Sequence, residues 1–274
     1  MTERFRGKVC LVTGSTGIAA AAAERFAAEG ATVFVATRTA EHGQDLVDRL
    51  RGSGARAEMI AVDLTDVDAA QVAVDACVAT YGRIDAVFNV AGGSGRRFGD
   101  GPADSVTAAA WDATLDLNAR SLFLVSGAAV RVMRDQERDA DGCRGAILNM
   151  SSILAFHPSP AFFPTHAYTA AKGAIDAFSR AMAASYAADG IRVNVIAPAL
   201  TRTPMAGRAA SDAATMAYAA WKQPLASGFI EPVDVAAAAA FLLSGDAARI
   251  TGQTLKVDGG FSVTEAPPPE DAQG

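Results

Sequence analysis

Cysteine, histidine and tryptophan are scarce in this chain. Its 274 residues include three cysteines, three histidines and two tryptophans. Cys10, Cys77 and Cys143 are odd in number and show no Cys-x-x-Cys spacing, so the pattern favours a reducing compartment, by default the cytoplasm, over a disulfide framework. Because the histidines show no His-Glu-x-x-His or similar spacing, we expect no metal site.

Long hydrophobic runs and clusters of basic charge are also missing. Residues 1–8 lead into an apolar run of only four residues, which is too short for a signal-peptide core or a membrane span. The chain has 24 Lys and Arg against 30 Asp and Glu, a net charge of -6, and no basic stripe. Since binding to a phosphate backbone needs clustered Lys and Arg, we expect neither a nucleic-acid partner nor a membrane partner.

Short apolar runs alternate with helical stretches along the chain, half of which is hydrophobic. The runs predicted to be strands are Val9 to Val12, Thr32 to Ala36, Ala57 to Val62, Ala86 to Asn89, Ala146 to Met150, Val193 to Ala197 and Leu255 to Val257. Strands separated by helices favour a parallel sheet with right-handed crossovers. We therefore predict an α/β fold, a doubly wound Rossmann-type parallel sheet of about seven strands, in a single domain over residues 1–265. The proline-rich tail, residues 266–274, is expected to be disordered.

A tyrosine and a lysine four residues apart carry the strongest chemical signal. On a helix, Tyr168 and Lys172 lie on one face, so the Lys172 ammonium is expected beside the Tyr168 phenol. A phenol titrates near ~10, and an adjacent cation favours the phenolate, which predicts a lowered pKa for Tyr168. Ser152 follows a buried apolar run, at the sheet edge where open α/β sheets bind ligands. Tyr168 is thus a candidate proton donor and acceptor.

A glycine turn near the N-terminus predicts a dinucleotide site. The sequence TGSTGIA at residues 13–19 lies between an apolar strand and an alanine-rich helix. Glycines at such a turn let backbone N–H groups and the helix N-terminus approach a pyrophosphate.

These residues together resemble the short-chain dehydrogenase/reductase family of NAD(P)-dependent oxidoreductases, over nearly the whole chain. The resemblance rests on the glycine turn, on the sequence NVAG at residues 89–92, on Asn118, Ser152, Tyr168 and Lys172, and on PALTRT at residues 198–203. The chain departs from the family at the turn, where two residues instead of three separate Gly14 from Gly17 and Ala19 replaces the third glycine. The missing residue is compatible with a tighter phosphate loop, with weaker cofactor binding, with a local adjustment, or with a purely structural turn.

The resemblance implies hydride transfer between a nicotinamide and a carbonyl carbon. It implies that Tyr168 protonates the substrate oxygen, that Ser152 stabilises the charge on that oxygen, and that Lys172 holds the cofactor ribose and tunes Tyr168. Asn118 is expected to anchor a water relay to Lys172. The predicted cofactor-binding residues are Gly14, Ser15, Thr16, Gly17, Ile18, Thr37, Arg38, Asp63, Leu64, Asn89, Ala91, Gly92, Tyr168, Lys172, Pro198 and Thr203. Among them, Asn89 is expected to be structural first.

The choice of dinucleotide is predicted from the end of the second strand. An NAD enzyme would carry an acid at the position of Thr37, which binds the ribose 2'-hydroxyl. Thr37 and Arg38 instead offer a hydroxyl and a guanidinium, which suit a 2'-phosphate. We therefore favour NADP(H). The alternative is NAD(H), in which case Arg38 is an ordinary solvated residue.

The segment between Ser152 and Tyr168 is about three residues longer than is usual in the family, and it is rich in aromatics and prolines. Phe156, Phe162, Phe163 and Met205 are predicted substrate contacts, for an apolar or cyclic ketone or alcohol or a 3-oxoacyl compound. A loop that packs on itself or on a neighbouring subunit is an equal alternative. By resemblance we expect a homo-oligomer, a dimer or tetramer. The alternative function, suggested by the short turn and Ala19, is a catalytically weak dinucleotide-binding regulator or scaffold.

Overall fold

The computed structural model describes residues 3–265, which form one seven-stranded sheet with helices on both faces. The strands are β1 Val9–Thr13, β2 Thr32–Thr37, β3 Ala57–Ala61, β4 Ala86–Asn89, β5 Gly145–Met150, β6 Ile191–Pro198 and β7 Thr254–Val257. All pairs are parallel, in the order β3-β2-β1-β4-β5-β6-β7. The predicted doubly wound Rossmann-type sheet is therefore confirmed. The predicted disordered tail, residues 266–274, lies outside the described residues.

Helices connect the strands and cover the sheet. They are α1 Ile18–Ala28, α2 Ala40–Gly52, α3 Ala69–Tyr81, α4 Ala108–Leu115, α5 Ser121–Asp135, α6 His166–Tyr186, α7 Gly207–Ala210, α8 Ala213–Lys222 and α9 Pro232–Leu243. Within residues 3–265, none of these helices has both the length and the hydropathy needed to cross a membrane.

Two hydrophobic layers, one on each face of the sheet, follow from the alternation of side chains along β1. Side chains of a strand point alternately to opposite faces. Cys10 and Val12 therefore pack on one face with residues of α1, α2 and α9. Val9 and Leu11 pack on the other face with residues of α3, α5 and α6. Because both faces are covered, β1 is buried throughout and reads as a continuous apolar run.

The order of the strands locates the ligand-binding edge. Strand β1 pairs with β2 on one side and with β4 on the other, so the chain winds outward in two directions from this point. In open α/β sheets, a crevice forms beyond the carboxyl ends of the strands at such a switch point. The hydroxyl of Thr13, at the end of β1, accepts hydrogen bonds from the backbone N–H groups of Val90 and Ala91, at 2.9 and 3.0 Å. This contact fixes the two loops that border the crevice.

Polar side chains brace the centre of the sheet just below that edge. The Asn89 amide on β4 donates to Asn149 Oδ1 at 2.9 Å and to the Ser126 hydroxyl at 3.0 Å. The Asn149 amide on β5 donates in turn to the Ser179 hydroxyl at 2.9 Å. All four side chains are buried. Because a buried polar group without a partner is costly, such a network favours one arrangement of these side chains. The network ties β4 and β5 to helices α5 and α6.

Candidate active site

Tyr168 lies in the first turn of α6 and is held there by a carboxylate from a distant part of the chain. The Oδ1 atom of Asp100 accepts from the backbone N–H of Ala167, and Oδ2 accepts from that of Tyr168, both at 2.9 Å. The first N–H groups of a helix have no partner within it, and an anion there also complements the helix dipole. Buried Asp100 therefore caps α6 and fixes the backbone that carries the Tyr168 phenol.

Lys172 follows one turn later and is only 3% exposed. Its Nζ atom donates to the carbonyl oxygen of Met150 at 2.9 Å and lies 5.5 Å from the centroid of the Tyr168 ring. Burial lowers the pKa of Lys172 to about 7, because the charged ammonium loses its hydration there. Lys172 can therefore change its charge near neutral pH.

The pKa of Tyr168 moves in the opposite direction from the one predicted from the sequence. Burial raises the pKa of the phenol, and the hydrogen bond with Ser152 offsets part of that increase. The predicted lowering by Lys172 is not found, since loss of hydration dominates at the phenol. In the protein without ligand, Tyr168 is therefore a neutral acid.

Ser152 stands just beyond the carboxyl end of β5. Its Oγ atom accepts from the backbone N–H of Leu154 at 3.2 Å and so caps the 3₁₀ turn Ile153–Ala155. Accepting this bond leaves the hydroxyl proton of Ser152 available for donation. Next to it, the hydroxyl of Ser151 donates to the carbonyl oxygen of Lys172 at 2.8 Å, which joins the end of β5 to α6.

Asn118 lies in a π-helical turn, Asp116–Arg120, between α4 and α5. Its amide accepts from the backbone N–H of Gly93 at 3.2 Å and donates to the carbonyl oxygens of Gly93 and Thr114 at 3.0 and 2.9 Å. A Cβ atom at Gly92 would lie 2.7 Å from Asn118 Oδ1 and 3.6 Å from Lys172 Nζ. Asn118 therefore braces the glycine backbone that lies between it and Lys172.

Two glycines with positive φ shape the turn between β1 and α1. Gly14 and Gly17 have φ values of 94° and 56°, which non-glycine residues rarely adopt, and helix α1 begins directly after Gly17. A Cβ atom at Gly17 would lie 3.0 Å from Thr203 Cγ2, and one at Gly14 would lie 3.3 Å from Ala19 Cβ. The start of α1 has no side-chain cap and no acidic residue in its first turn. This set of backbone donors fits the diphosphate of a dinucleotide.

The end of β2 and the loop after β3 form a second part of the crevice. The hydroxyls of Thr37 and Ser15 lie 2.9 Å apart. The Arg38 guanidinium is exposed and lies 3.9 Å from the carboxylate of Asp63. Burial would raise the pKa of Asp63, but hydrogen bonds from Thr65 and the positive charge of Arg38 lower it below the usual value. Asp63 is therefore an anion that orders its own loop.

Two overlapping cavities connect these groups. The catalytic cavity is lined by the predicted residues Gly14, Ser15, Thr16, Gly17, Ile18, Ala91, Gly92, Ser152, Phe163, Tyr168, Lys172, Pro198, Thr203 and Met205. The β2 cavity is lined by the predicted residues Gly14, Ser15, Thr16, Thr37, Arg38, Asp63, Leu64, Ala91, Gly92 and Met205. The shared residues make one continuous cleft from Tyr168 to Arg38.

Four of the predicted site residues do not line this cleft. Asn89 and Asn118 lie behind it, in the hydrogen-bond networks described above. Phe162 stacks on Tyr218 with ring centroids 4.1 Å apart, which keeps it out of the cavity lining. The Phe156 ring instead lies under the Lys256 ammonium, 5.5 Å from its centroid. These two rings pack the loop before Tyr168, whereas Phe163 and Met205 face the cleft.

Arg96 and Asp100 are among the site residues that sequence reasoning missed. Arg96, in the 3₁₀ turn Gly95–Phe98 after β4, lines both cavities. Asp100 caps α6 although 68 positions separate it from Tyr168. Neither residue belongs to a recognisable local motif, and only the folded chain brings Asp100 to the start of α6.

The fold and this cleft define a dinucleotide-dependent oxidoreductase, and comparisons with known proteins agree. A family model described as enoyl-(acyl carrier protein) reductase matches residues 12–262. An A-factor type gamma-butyrolactone 1'-reductase (1S-forming) of Streptomyces virginiae is 38% identical, over 96% of this chain and 100% of its own length. A cis-4-hydroxycyclohexanecarboxylate dehydrogenase of Sinomonas cyclohexanicum is 36% identical, over 96% of this chain and 99% of its own length.

A solved structure extends the similarity. The gluconate 5-dehydrogenase of Burkholderia cenocepacia, in complex with NADP and tartrate, superposes with a TM-score of 0.85 at 29% identity, over 95% of this chain and 97% of that one. The chain belongs to the short-chain dehydrogenase/reductase family, so the predicted resemblance is confirmed. It is an enzyme of the NAD(P)-binding type that acts on CH–OH and C=O groups.

Proposed function

We propose that this protein is an NADP(H)-dependent oxidoreductase that interconverts a secondary alcohol and a ketone, with Tyr168 as the proton donor and acceptor. The observation that carries the proposal is the single cleft in which Ser152, Tyr168 and Lys172 adjoin an uncapped helix N-terminus after a glycine turn. In the oxidation, the alcohol carbon loses a hydride and the alcohol oxygen loses a proton. The reduction reverses both transfers.

The side chains of the cleft supply the proton and stabilise the charge. A bound dinucleotide supplies the hydride acceptor or donor. In the reduction, Tyr168 gives its phenolic proton to the substrate oxygen while Ser152 donates a hydrogen bond to the same oxygen. The raised pKa of Tyr168 suits this step because it keeps the proton on the phenol until it is needed. In the oxidation, a protonated Lys172 would stabilise the phenolate that takes up the proton.

The preference for NADP(H) is argued from the residues at the end of β2. Thr37 occupies the position at which an acidic residue would repel a 2'-phosphate. The guanidinium of Arg38 lies 3.9 Å from the carboxylate of Asp63, which is a weak contact. An exposed guanidinium with free N–H groups is a good partner for a phosphate. The gluconate 5-dehydrogenase that resembles this chain was solved with NADP, which agrees with the proposal.

The substrate side of the catalytic cavity is apolar. Ile153, Leu154, Phe163, Leu200 and Met205 line it together with the catalytic side chains. Such a lining favours a substrate with a hydrophobic body, which Tyr168 and Ser152 would orient through its oxygen. The names of the two relatives describe a gamma-butyrolactone 1'-reductase and a cis-4-hydroxycyclohexanecarboxylate dehydrogenase, and both names contain a ring compound. We therefore propose a cyclic alcohol or ketone rather than an open-chain 3-oxoacyl compound.

The predicted homo-oligomer is proposed to form through α4, α5 and α6. Phe123 on α5 is 52% exposed and meets Phe178 on α6 edge to face, with centroids 5.6 Å apart. Trp111 on α4 is also exposed. Large exposed aromatic groups on neighbouring helices are common in subunit interfaces. Mass photometry at micromolar concentration should detect dimers or tetramers; a purely monomeric particle contradicts the proposal. A cytoplasmic location stays a prediction from cysteine usage.

A turnover screen tests the proposed function. The purified protein would be mixed with NADPH or NADH and either cyclic ketones or 3-oxoacyl thioesters, and the absorbance of the reduced nicotinamide followed. We expect the fastest oxidation of NADPH with a cyclic ketone. If fluorescence titration detects cofactor binding but no compound is turned over in either direction, the regulatory or scaffold alternative is favoured instead.

A further inference from the structure

The catalytic cavity carries only positive side-chain charges, although the chain as a whole has a net charge of -6. Arg96 and Arg208 line it as permanent cations, Lys172 adds a charge when it is protonated, and none of its described lining residues is Asp or Glu. A cleft lined by one sign of charge raises the local concentration of ions of the opposite sign. Some of these cations could bind the phosphates of a dinucleotide. The position of each cation therefore decides which ligand it can bind.

Arg96 is tied to the substrate wall of the cavity. Its backbone N–H is capped by the Ser94 hydroxyl at 3.3 Å. Its Nη2 atom donates to the carbonyl oxygen of Phe162 at 2.9 Å, and its guanidinium lies 5.9 Å from the centroid of the Phe163 ring. Phe162 and Phe163 belong to the loop that leads into Tyr168. Arg96 therefore bridges the loop after β4 and the loop that leads into Tyr168.

The guanidinium keeps donors that the protein does not use. A guanidinium has five N–H donors, and among the described residues only its Nη2 atom has an acceptor, the backbone carbonyl oxygen of Phe162. Within residues 3–265, no carboxylate lies within salt-bridge distance of Arg96. By contrast, exposed arginines elsewhere, such as Arg202 and Arg120, are paired with acids. Arg96 is thus a half-buried cation that lines the cavity, is anchored through Nη2, and keeps donors without a partner among the described residues.

The phosphates of a dinucleotide have other partners in this cleft. The N-terminus of α1 suits the diphosphate, and Thr37 with Arg38 suits a 2'-phosphate. Arg208, which also lines both cavities, is exposed, and within residues 3–265 it makes no such bond to the substrate wall. Of the two arginines that line the catalytic cavity among the described residues, Arg96 is the one that donates a hydrogen bond to the loop that leads into Tyr168.

We infer that Arg96 binds a carboxylate on the substrate, so that the preferred substrate is an apolar or cyclic alcohol or ketone that also carries an acid group. The acid would pair with the free N–H groups of Arg96, and the hydrophobic body would pack on Phe163 and Leu154 while its oxygen meets Tyr168. This inference rests on the proposed function and adds the substrate class. Hydrogen bonds to charged groups contribute about 1.5–3 kcal/mol, which corresponds to roughly 10-fold to 150-fold in affinity.

Kinetics with a matched acid and ester test the inference. The substrates are 4-oxocyclohexanecarboxylate and its methyl ester, which share the ring and the reacting ketone and differ in charge. We expect the wild-type KM for the acid to be at least tenfold below that for the ester, because only the acid forms a charge-assisted pair. Arg96→Gln should remove this advantage, and Arg96→Lys should restore part of it. Arg97→Gln, in the same turn, should keep the wild-type ratio of acid to ester.

A binding experiment separates this inference from the proposed function. Cyclohexanecarboxylate and cyclohexanecarboxamide, which have no ketone to reduce, would be titrated calorimetrically into the enzyme saturated with NADP⁺. Tighter binding of the acid that is lost in Arg96→Gln supports the inference even if no ketone is turned over. Equal binding of acid and amide, or an acid preference that Arg96→Gln leaves unchanged, overturns it while leaving ketone reduction intact.

Discussion

The ammonium of Lys172 lies 5.5 Å from the centroid of the Tyr168 ring but gives its hydrogen bond to the carbonyl oxygen of Met150. Loss of hydration raises the pKa of the phenol and lowers the pKa of the amine to about 7. Before ligands bind, the phenol is therefore neutral, and the amine can gain or lose its charge near neutral pH. A phenolate at Tyr168 and an ammonium at Lys172 would each be stabilised by the other, so the two charges are expected to appear together.

The stability of the ligand-free protein should rise with pH between about pH 7 and pH 9 because of Lys172. The pKa of this lysine falls from 10.5 to about 7 on folding, so in this interval the unfolded chain binds one more proton than the folded chain. Under that condition the free energy of unfolding increases with pH. Urea denaturation at the two pH values should give a steeper increase for the wild type than for Lys172→Met. Parallel pH dependence in the two proteins would contradict the assigned pKa.

Asp100 should act on catalysis through the position of Tyr168. Asp100→Ala removes the acceptor for two backbone N–H groups at the start of α6 and should cost about 1 kcal/mol of stability, as the loss of a helix cap does. We also expect kcat to fall while the Kd for cofactor changes little, and Asp100→Asn to recover part of kcat. Asp104→Ala, at an exposed position nearby, is the control. Loss of stability with an unchanged kcat per folded molecule would show that Asp100 is structural only.

Arg38 should determine the preference between the two dinucleotides. Arg38→Ala is expected to raise KM for NADPH about tenfold and to leave KM for NADH nearly unchanged. Tenfold is the lower end of the effect of losing a hydrogen bond to a charged group, and it applies here because the Arg38 side chain is exposed. The matched control is Arg49→Ala, since Arg49 is exposed to a similar extent but lies outside the cleft, against Glu24. Equal effects on NADPH and NADH would contradict the proposed phosphate contact.

Gly17 should tolerate no side chain. Gly17→Ala places a Cβ atom 3.0 Å from Thr203 on a backbone with φ of 56°, and strain of this kind costs about 1–3 kcal/mol. We expect a lower melting temperature and weaker cofactor binding, measured by fluorescence titration. Gly52→Ala, at the end of α2 with open space around it, should keep wild-type cofactor affinity. Unchanged cofactor binding in Gly17→Ala would mean that the shortened turn does not approach the diphosphate.

Much of the fold followed from the sequence because its elements are local. Each predicted strand overlaps an observed one, and their ends differ by at most two residues, as at β6, which extends to Ile191 and Pro198. Continuous apolar runs bounded by glycine and alternating with helices leave few other arrangements. The grouping of Ser152, Tyr168 and Lys172 in one cavity was also predictable, because β5 and α6 are neighbours in this topology.

The contacts that escaped prediction depend on tertiary structure. The pairing of Asp100 with Tyr168 joins segments with no common motif, and the stacking of Phe162 on Tyr218 depends on where α8 lies. Spacing placed Lys172 beside Tyr168, but it gave no measure of burial, and burial decides the direction of both pKa shifts. Arg96 was missed because its role depends on the loop that it reaches across the cavity.

The central claim is that the hydroxyl of Tyr168 transfers the proton, and single-turnover reduction of a cyclic ketone by Tyr168→Phe tests it most directly. The variant keeps the aromatic ring, so it should fold and bind NADPH as the wild type does. Its rate should fall at least about 100-fold, the usual contribution of a positioned acid. Tyr186→Phe, in the same helix but outside the cleft, is the matched control. A Tyr168→Phe rate close to that of the wild type would contradict the account.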